Sequence, residues 1–487
     1  MCGIVGVIAQ DSAPVVKEIA NGAHFLQHRG QAYAGLFVID HARRTFRLVK
    51  EEGLADDVFK QLGGTSGSVG VAQTRYKTIG KGGRENAQPF YDAFAGIGLA
   101  HNGHITNIPQ IAEELAARGE VLGSDCDAEP LLRVLSLWRD HYRAANPALP
   151  EREVMFMAVR EVQERVAGAY SAVAATRDGL YAFRDPQGFR PMVRGHKDGP
   201  SGRFLMVASE SIALEQNGYT VDEEVPHGAA LFVDGGLEVD ARVLLQREPA
   251  PCAFELVYFA DVESAMWGDR VRSYRWRAGK ALAEVVLETA PEIVSEIDMV
   301  VPIPHSPIPG AEAFAKEVER VMDDGVVQYA TPVSKYRYGG RIFMEETQEA
   351  RNQAAMLDLR LDAKAVEGKT VFLVDDSIVR GTNASHIVAG LRAAGARKVF
   401  FGTLWPMVID SCFQGIDTPT QTELIGARFA GNADNVRDAL GVDALFYLPV
   451  ERFRHRVIKD APACMACVTG QRAVRFAYPG TVLPPLP

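Results

Sequence analysis

The run Val-Phe-Leu-Val-Asp-Asp-Ser-Ile-Val-Arg-Gly-Thr at residues 371–382 sets two carboxylates, Asp375 and Asp376, behind four apolar residues, with hydroxyls at Ser377 and Thr382 just beyond. The apolar residues read as a buried strand, and residues 385–394 have the periodicity of a helix that stops at Gly395. A strand, an acidic tip, a hydroxyl-rich turn and a helix N-terminus make a natural phosphate site. Loop N–H groups and the helix dipole hold the anion, while Ser377 and Thr382 donate hydroxyls. Asp375 and Asp376 would bind sugar hydroxyls or a magnesium-bound pyrophosphate. No Gly-Lys-Ser/Thr follows, so this is not a P-loop. A carboxylate pair that merely caps the next helix is the plainer account of Asp-Asp-Ser, but the Val-Arg-Gly-Thr completing the run is far more specific.

Cys2 is the other reactive candidate, because removal of Met1 would make it the first residue. A terminal cysteine combines a nucleophilic thiol with its own α-amine, whose reference pKa of about 7.7–8.0 suits a base near neutrality. The remaining cysteines are Cys126, Cys252, Cys412, Cys464 and Cys467. Six scattered thiols are no disulfide framework. The C-x-x-C pair Cys464/Cys467 could by itself be redox-active, zinc-binding or simply buried.

These groups need more than one core to position them. At 487 residues the chain predicts two or three domains, and its composition, 47% hydrophobic and 23% charged, is that of a globular protein. A net charge of −10 with no basic tract argues against nucleic acid as a partner. No run approaches the roughly 20 apolar residues of a membrane span, and the N-terminus lacks signal-peptide features, so a soluble cytoplasmic protein is expected. Before Pro249, short strand-like runs at 4–8, 35–38, 68–72, 171–175 and 204–208 mix with helical patterns at 16–27, 108–118 and 154–166, which suits two sheets sandwiched between helices. Between 275 and 404 the pattern becomes strand-helix alternation, with apolar strands at 299–303, 371–374 and 399–404. That predicts a parallel, doubly wound sheet with ligands at the carboxyl ends of its strands.

The 371–382 run resembles the phosphoribosyl-pyrophosphate (PRPP) motif of type I phosphoribosyltransferases. Residues 1–6, 26–35, 74–76, 101–103, Asp127 and Glu129 resemble class II glutamine amidotransferases, which are N-terminal nucleophile (Ntn) hydrolases. Together with 168–194 (including Arg-Asp-Pro-Gln-Gly-Phe-Arg-Pro), 208–211 and 415–418, they make nearly the whole chain similar to the amidophosphoribosyltransferase family. The resemblance implies an αββα Ntn-hydrolase domain at 2–245 and a type I phosphoribosyltransferase domain at 250–450. A tail at 451–487 would pack on the transferase domain and complete a cysteine cluster. It implies that glutamine is hydrolysed at Cys2 and that ammonia passes to PRPP, giving 5-phosphoribosylamine, pyrophosphate and glutamate, the opening step of purine biosynthesis.

By the same resemblance Asn102 and Gly103 stabilise the oxyanion, and Arg29, Arg75 and Asp127 bind glutamine, Arg75 taking its α-carboxylate and Asp127 its α-ammonium. Lys335, Gln348, Asp375, Asp376, Ser377, Gly381 and Thr382 bind PRPP, with Lys335 and Gln348 in a loop that closes over it. Magnesium would sit with Ser306, Asp375 and Asp376. Cys252, Cys412, Cys464 and Cys467 match the contexts of a 4Fe-4S cluster in some members, with zinc or no metal as the alternatives. A homo-oligomer, tetrameric by the family pattern, is expected.

The chain departs from the family in three segments and at Arg272, which lines up with a family Tyr. Val-Pro-x-Pro-Asp-Ser-Gly becomes Val301-Pro302-Ile303-Pro304-His305-Ser306-Pro307, Tyr-Phe-Ala-Arg-Pro-Asp-Ser becomes Tyr258-Phe259-Ala260-Asp261-Val262-Glu263-Ser264, and Gly-His-x-Arg-Tyr becomes Ala72-Gln73-Thr74-Arg75-Tyr76. Pro307 removes an N–H where the loop should donate to pyrophosphate. The rival expectation is a diverged paralog with glutaminase activity and another phosphosugar or acceptor, or a non-catalytic PRPP- or nucleotide-binding regulator.

Overall fold

The computed structural model describes residues 2–10, 13–41, 43–62, 65–76, 83–200, 202–322, 327–335, 359–416, 420–472 and 486. A seven-stranded antiparallel sheet runs Thr220–Glu224, Val193–Gly199, Gly202–Ala208, Gly3–Ala9, Val69–Arg75, Tyr33–Asp40, Thr45–Glu52. A six-stranded sheet runs Val239–Val243, Ala229–Val233, Gly179–Arg184, Gly168–Thr176, Ile97–Ile105, Phe90–Asp92.

Strand alternation explains how they stack. In Gly3–Ala9, Ile4 and Ile8 pack between the sheets with Phe37, Val71 and Val173. Val5, Val7 and Ala9 point to the other side, against Ile19 and Ala23 of the helix Val16–Phe25. Both faces are buried, so the strand is apolar throughout. The helices Ile108–Ala116, Ala128–Ala145 and Glu151–Arg165 cover the outer face of the second sheet through Leu115, Leu131, Leu135 and Val159. The layers are αββα, as the sequence predicts.

The third sheet is parallel, in the order Gln328–Tyr329, Met299–Pro302, Thr370–Asp375, Lys398–Thr403, Ala444–Tyr447. In Thr370–Asp375, Phe372 and Val374 pack under Leu282 of the helix Val271–Thr289 and Phe314 of Ile308–Glu319, while Val371 and Leu373 pack under Ile387 and Leu391 of Thr382–Ala393. Helices thus cover both faces. In chain order the strands read 2-1-3-4-5, so the order reverses between Met299–Pro302 and Thr370–Asp375. Such a switch point opens a crevice at the carboxyl ends of the two strands.

Two differences from the sequence reading matter. The helix after the acidic pair starts at Thr382 rather than at 385, with Gly381 at φ +82° as its N-cap. That left-handed conformation favours glycine, and it brings the helix N-terminus against the loop. The long helices Ala128–Ala145 and Val271–Thr289 carry no element in the sequence reading.

Candidate active site

Cys2, 7% exposed, immediately precedes the central strand Gly3–Ala9. Its backbone N donates to Asn102 Oδ1 at 3.1 Å. Asn102 is fully buried, and its Nδ2 has no hydrogen-bond partner among the described residues. A buried amide donor left open is costly unless something arrives to use it. Its amide oxygen is fixed on the nucleophile's own residue, so the open Nδ2 is held close to Cys2. This is the arrangement an oxyanion formed at Cys2 requires.

The strand behind Asn102 is held from several sides. Gln88 Oε1 accepts from His101 N at 2.7 Å, and Gln73 Nε2 donates to His101 O at 2.7 Å. Gln73 stands where the family has histidine, so it supplies a donor that braces the oxyanion strand. Gly103 meets Gly415 from the other half of the chain, where a Cβ on Gly415 would lie 3.1 Å from the Gly103 carbonyl carbon. With φ +101°, Gly415 also needs its freedom from a side chain.

Arg75, Cys126 and Asp127 lie together beside the nucleophile. Arg75 Nη1 donates to Cys126 Sγ at 3.3 Å, and all three residues are at most 5% exposed. Burial opposes charge on Arg75, but its hydrogen bond to Cys126 and the carboxylate of Asp127 hold the guanidinium above its usual value. Burial would likewise raise Asp127, yet His101 and the Ile105 N–H hold its carboxyl down at about 2. His101 Nε2 lies 3.4 Å from Asp127, and Gln88 Nε2 lies 3.3 Å from its Nδ1. Burial opposes charge on the imidazole, yet the Asp127 carboxylate beside it raises His101 above its ordinary value. Cys126 is pushed up to about 12 by burial, so it stays a thiol. The pocket therefore offers a cation and a carboxylate, the pair an α-amino acid needs.

Arg29 lies under the nucleophile. It is fully buried; its Nε donates to Cys2 O at 3.0 Å, and its other nitrogens pair with Glu210 and with both Glu255 oxygens at 2.9 and 3.1 Å. The sequence reading put Arg29 on glutamine; the structure has these donors turned to the chain's own groups. Glu210, Glu255 and Arg190 escaped that reading because they lie 160 or more positions away from Arg29 and singly look like surface charges.

At the switch point, Asp375 ends its strand, its Oδ1 accepts from Asp376 N at 2.8 Å, and Ser377 Oγ donates to Asp376 Oδ1 at 2.8 Å. Pro302 pairs with Val374 across the parallel register, so the 303–307 loop leaves the sheet beside the acidic pair. In that loop His305 is exposed, Ser306 half-buried and Pro307 buried. Pro307 is the N-cap of Ile308–Glu319, and no hydrogen bond within that helix depends on its missing N–H. Lys335 ends the short strand Val333–Lys335, which pairs with Leu359–Leu361. Gln348 lies outside the described residues. Asp261 N donates to Glu210 Oε2 at 2.8 Å, and its carboxylate accepts from Glu263 N at 2.9 Å, so the acid at this seam closes a turn. Tyr258 is within electrostatic reach of Asp376 and Asp375 and also of Tyr76. Arg275 grips this segment through the carbonyls of Leu256 and Ala260 at 3.2 and 2.6 Å.

Cys252, Cys412, Cys464 and Cys467 line one cavity together with Arg190, Phe254 and Ile416. Backbone bonds bring them there. Cys464 N donates to Pro251 O at 2.8 Å, Ala253 N to Cys464 O at 3.2 Å, and Ile409 N to Cys467 O at 2.9 Å. Burial is the first cause that raises Cys252, Cys464 and Cys467, pushing Cys464 to about 12, and neighbouring thiols add to it. Among the described residues, no group of three or more His, Cys, Asp or Glu side chains converges on one ion.

Comparison with known proteins gives a consistent picture. A family described as a glutamine amidotransferase domain matches residues 74–216. The chain is 35% identical to amidophosphoribosyltransferase of Pasteurella multocida over 95% of this chain and 90% of that one, and 35% identical to the Escherichia coli enzyme over 92% and 86%. Among solved structures, the glutamine PRPP amidotransferase of B. subtilis, complexed with ADP and GMP, superposes with a TM-score of 0.82 at 30% identity, covering 99% of both chains.

Proposed function

The chain belongs to the amidophosphoribosyltransferase family, and on that premise we propose how its residues divide glutamine-dependent amidation of PRPP between two sites. With Met1 removed, the Cys2 α-amine takes the thiol proton and the sulfur attacks the glutamine amide carbon. Asn102 Nδ2 and the Gly103 N–H receive the oxyanion, and the Cys2 α-ammonium gives its proton to the leaving nitrogen so that ammonia departs. Water then releases glutamate from the thioester. Arg75 binds the α-carboxylate and Asp127 the α-ammonium, while Arg29 holds the Cys2 carbonyl from below. Ammonia travels past Tyr258 to the crevice.

There it displaces pyrophosphate from C1 of PRPP. Asp375 and Asp376 bind the ribose hydroxyls, and Ser377, Gly381 and Thr382 with the helix N-terminus bind the 5-phosphate. Lys335 and Gln348 close over the substrate. Oxygen donors at Ser306, Asp375 and Asp376 fit magnesium, which commonly takes one or two carboxylates and completes its shell with substrate phosphates and water. Such an ion would neutralise the leaving pyrophosphate.

Four thiols lining one cavity fit a 4Fe-4S cluster. Each cysteine ligates its own iron, so convergence on a single point is not required. It would staple the 464–467 segment to the transferase half. The reading carries with it a cytoplasmic homo-oligomer, tetrameric in the family pattern. No helix among the described residues is long and apolar enough to cross a membrane.

The open Nδ2 of Asn102 carries the glutaminase half of this proposal. Incubation with glutamine, PRPP and magnesium should yield glutamate and pyrophosphate in equal amounts. Glutamate without pyrophosphate would favour another acceptor, and neither product would favour a regulator that only binds PRPP.

A further inference from the structure

We propose that Arg190 and Glu255 are positioning residues that couple what occupies the four-cysteine cavity to the Cys2 nucleophile. Arg190 is fully buried, lines the cavity beside Cys252 and Cys412, and donates from Nη1 to Glu255 Oε1 at 3.2 Å. The same Glu255 oxygen accepts from Arg29 Nη2 at 2.9 Å, and Arg29 Nε donates to the Cys2 carbonyl at 3.0 Å. One carboxylate oxygen is therefore shared between an arginine facing the cavity and an arginine under the nucleophile.

The backbone supplies two parallel links. Arg190 O accepts from Ser171 Oγ at 3.0 Å, and Ser171 is the cross-strand partner of Asn102. On the other side, Gly415, three residues past Cys412, packs on Gly103. Both oxyanion residues are thus tied to the cavity wall.

The charges explain why occupancy should be felt. Arg29 and Arg190 balance Glu210 and Glu255, and all four are at most 2% exposed. In so dry a place an added charge is screened weakly, and neighbouring bonds readjust together. Thiolates holding an iron–sulfur cluster bring negative charge to Arg190. Its hold on Glu255 then weakens, and Glu255 passes wholly to Arg29, which fixes the Cys2 carbonyl more firmly. An empty cavity leaves the oxygen divided. The same bonds run in the other direction, so a group on Cys2 should be felt at the cluster.

This inference rests on the cluster reading, and the test separates the two. The full chain is reconstituted anaerobically with ferrous iron and sulfide, or left without them, and iron and sulfide are assayed. Cys2 is then titrated with the diazoketone analogue of glutamine, whose protonated diazo carbon the sulfur attacks with loss of N2. Loading should speed alkylation at least about fivefold in the wild type, and the response should fall below about twofold in Arg190→Gln and Glu255→Gln. Arg190→Lys, which keeps the charge, should retain most of it. In the opposite direction, alkylated Cys2 should shift the visible spectrum or midpoint potential of the cluster in the wild type and not in Arg190→Gln. A loaded wild type that does not respond, or an Arg190→Gln variant that responds as strongly, overturns the coupling alone. A chain that takes up neither iron nor sulfide overturns the cluster reading and the coupling with it.

Discussion

Asn102 uses one end of its amide to hold the Cys2 backbone, and its other end, Nδ2, has no partner among the described residues. In the proposed mechanism that end receives the oxyanion. Asn102→Ala should therefore lower glutamine-dependent turnover about a hundredfold or more while leaving turnover on added ammonia intact; equal loss with both nitrogen sources would place its role elsewhere. Asp127 permits a pH argument. Its carboxyl is held at about 2 against an ordinary 3.8, so the stability it lends is complete above 3.8 and disappears as the pH falls toward 2. The size is about 2 kcal/mol. Denaturant unfolding of wild type and Asp127→Asn should differ most near neutrality, and the gap should close on acidification through that window. A gap that grows in acid would reverse the sign. Much of this pocket was legible from the sequence, because Cys2, Arg75, Asn102 and Asp127 sit in short matching segments. Arg29 was read as a substrate contact because nothing local reveals that Glu210 and Glu255 reach it from 181 and 226 positions away.

The elements behind these groups were legible where an apolar run is buried on both faces, as in Gly3–Ala9 and Thr370–Asp375. Less visible were helix starts. Gly381 and Thr382 look like loop residues by type, yet a left-handed glycine N-cap begins the helix there. The strand at the switch point makes its own prediction. Phe372 is fully buried and stacks on Phe314 at 4.3 Å between centroids, so Phe372→Ala should cost about 3–5 kcal/mol in an unfolding titration. At the seam, Gly415→Val introduces a side chain against Gly103 in a left-handed backbone. We expect a penalty of order 1–3 kcal/mol and a glutamine-dependent rate that falls more than the ammonia-dependent one. Equal falls would mean that Gly415 serves only general packing.

Across the whole molecule, four cysteines from three separate segments meet through backbone bonds, which no local pattern could announce beyond the matched contexts around them. Truncation after Asp460 would remove two walls of that cavity and bare Val408 and Phe254, so the shortened chain should lose thermal stability and both activities together. A chain that kept its glutaminase would show that the tail serves only the transferase. The contact between Gly103 and Gly415 also has a consequence for time. Protein chains emerge amino end first, at about 5–20 residues per second, so the strand that carries Asn102 leaves the ribosome on the order of tens of seconds before the loop that packs on it. Until that loop arrives, Cys2 has its thiol but not its full support. On the proposed mechanism a nascent chain should release little ammonia before there is a sugar site to receive it, and stalled chains ending short of Gly415 should react slowly with the glutamine analogue.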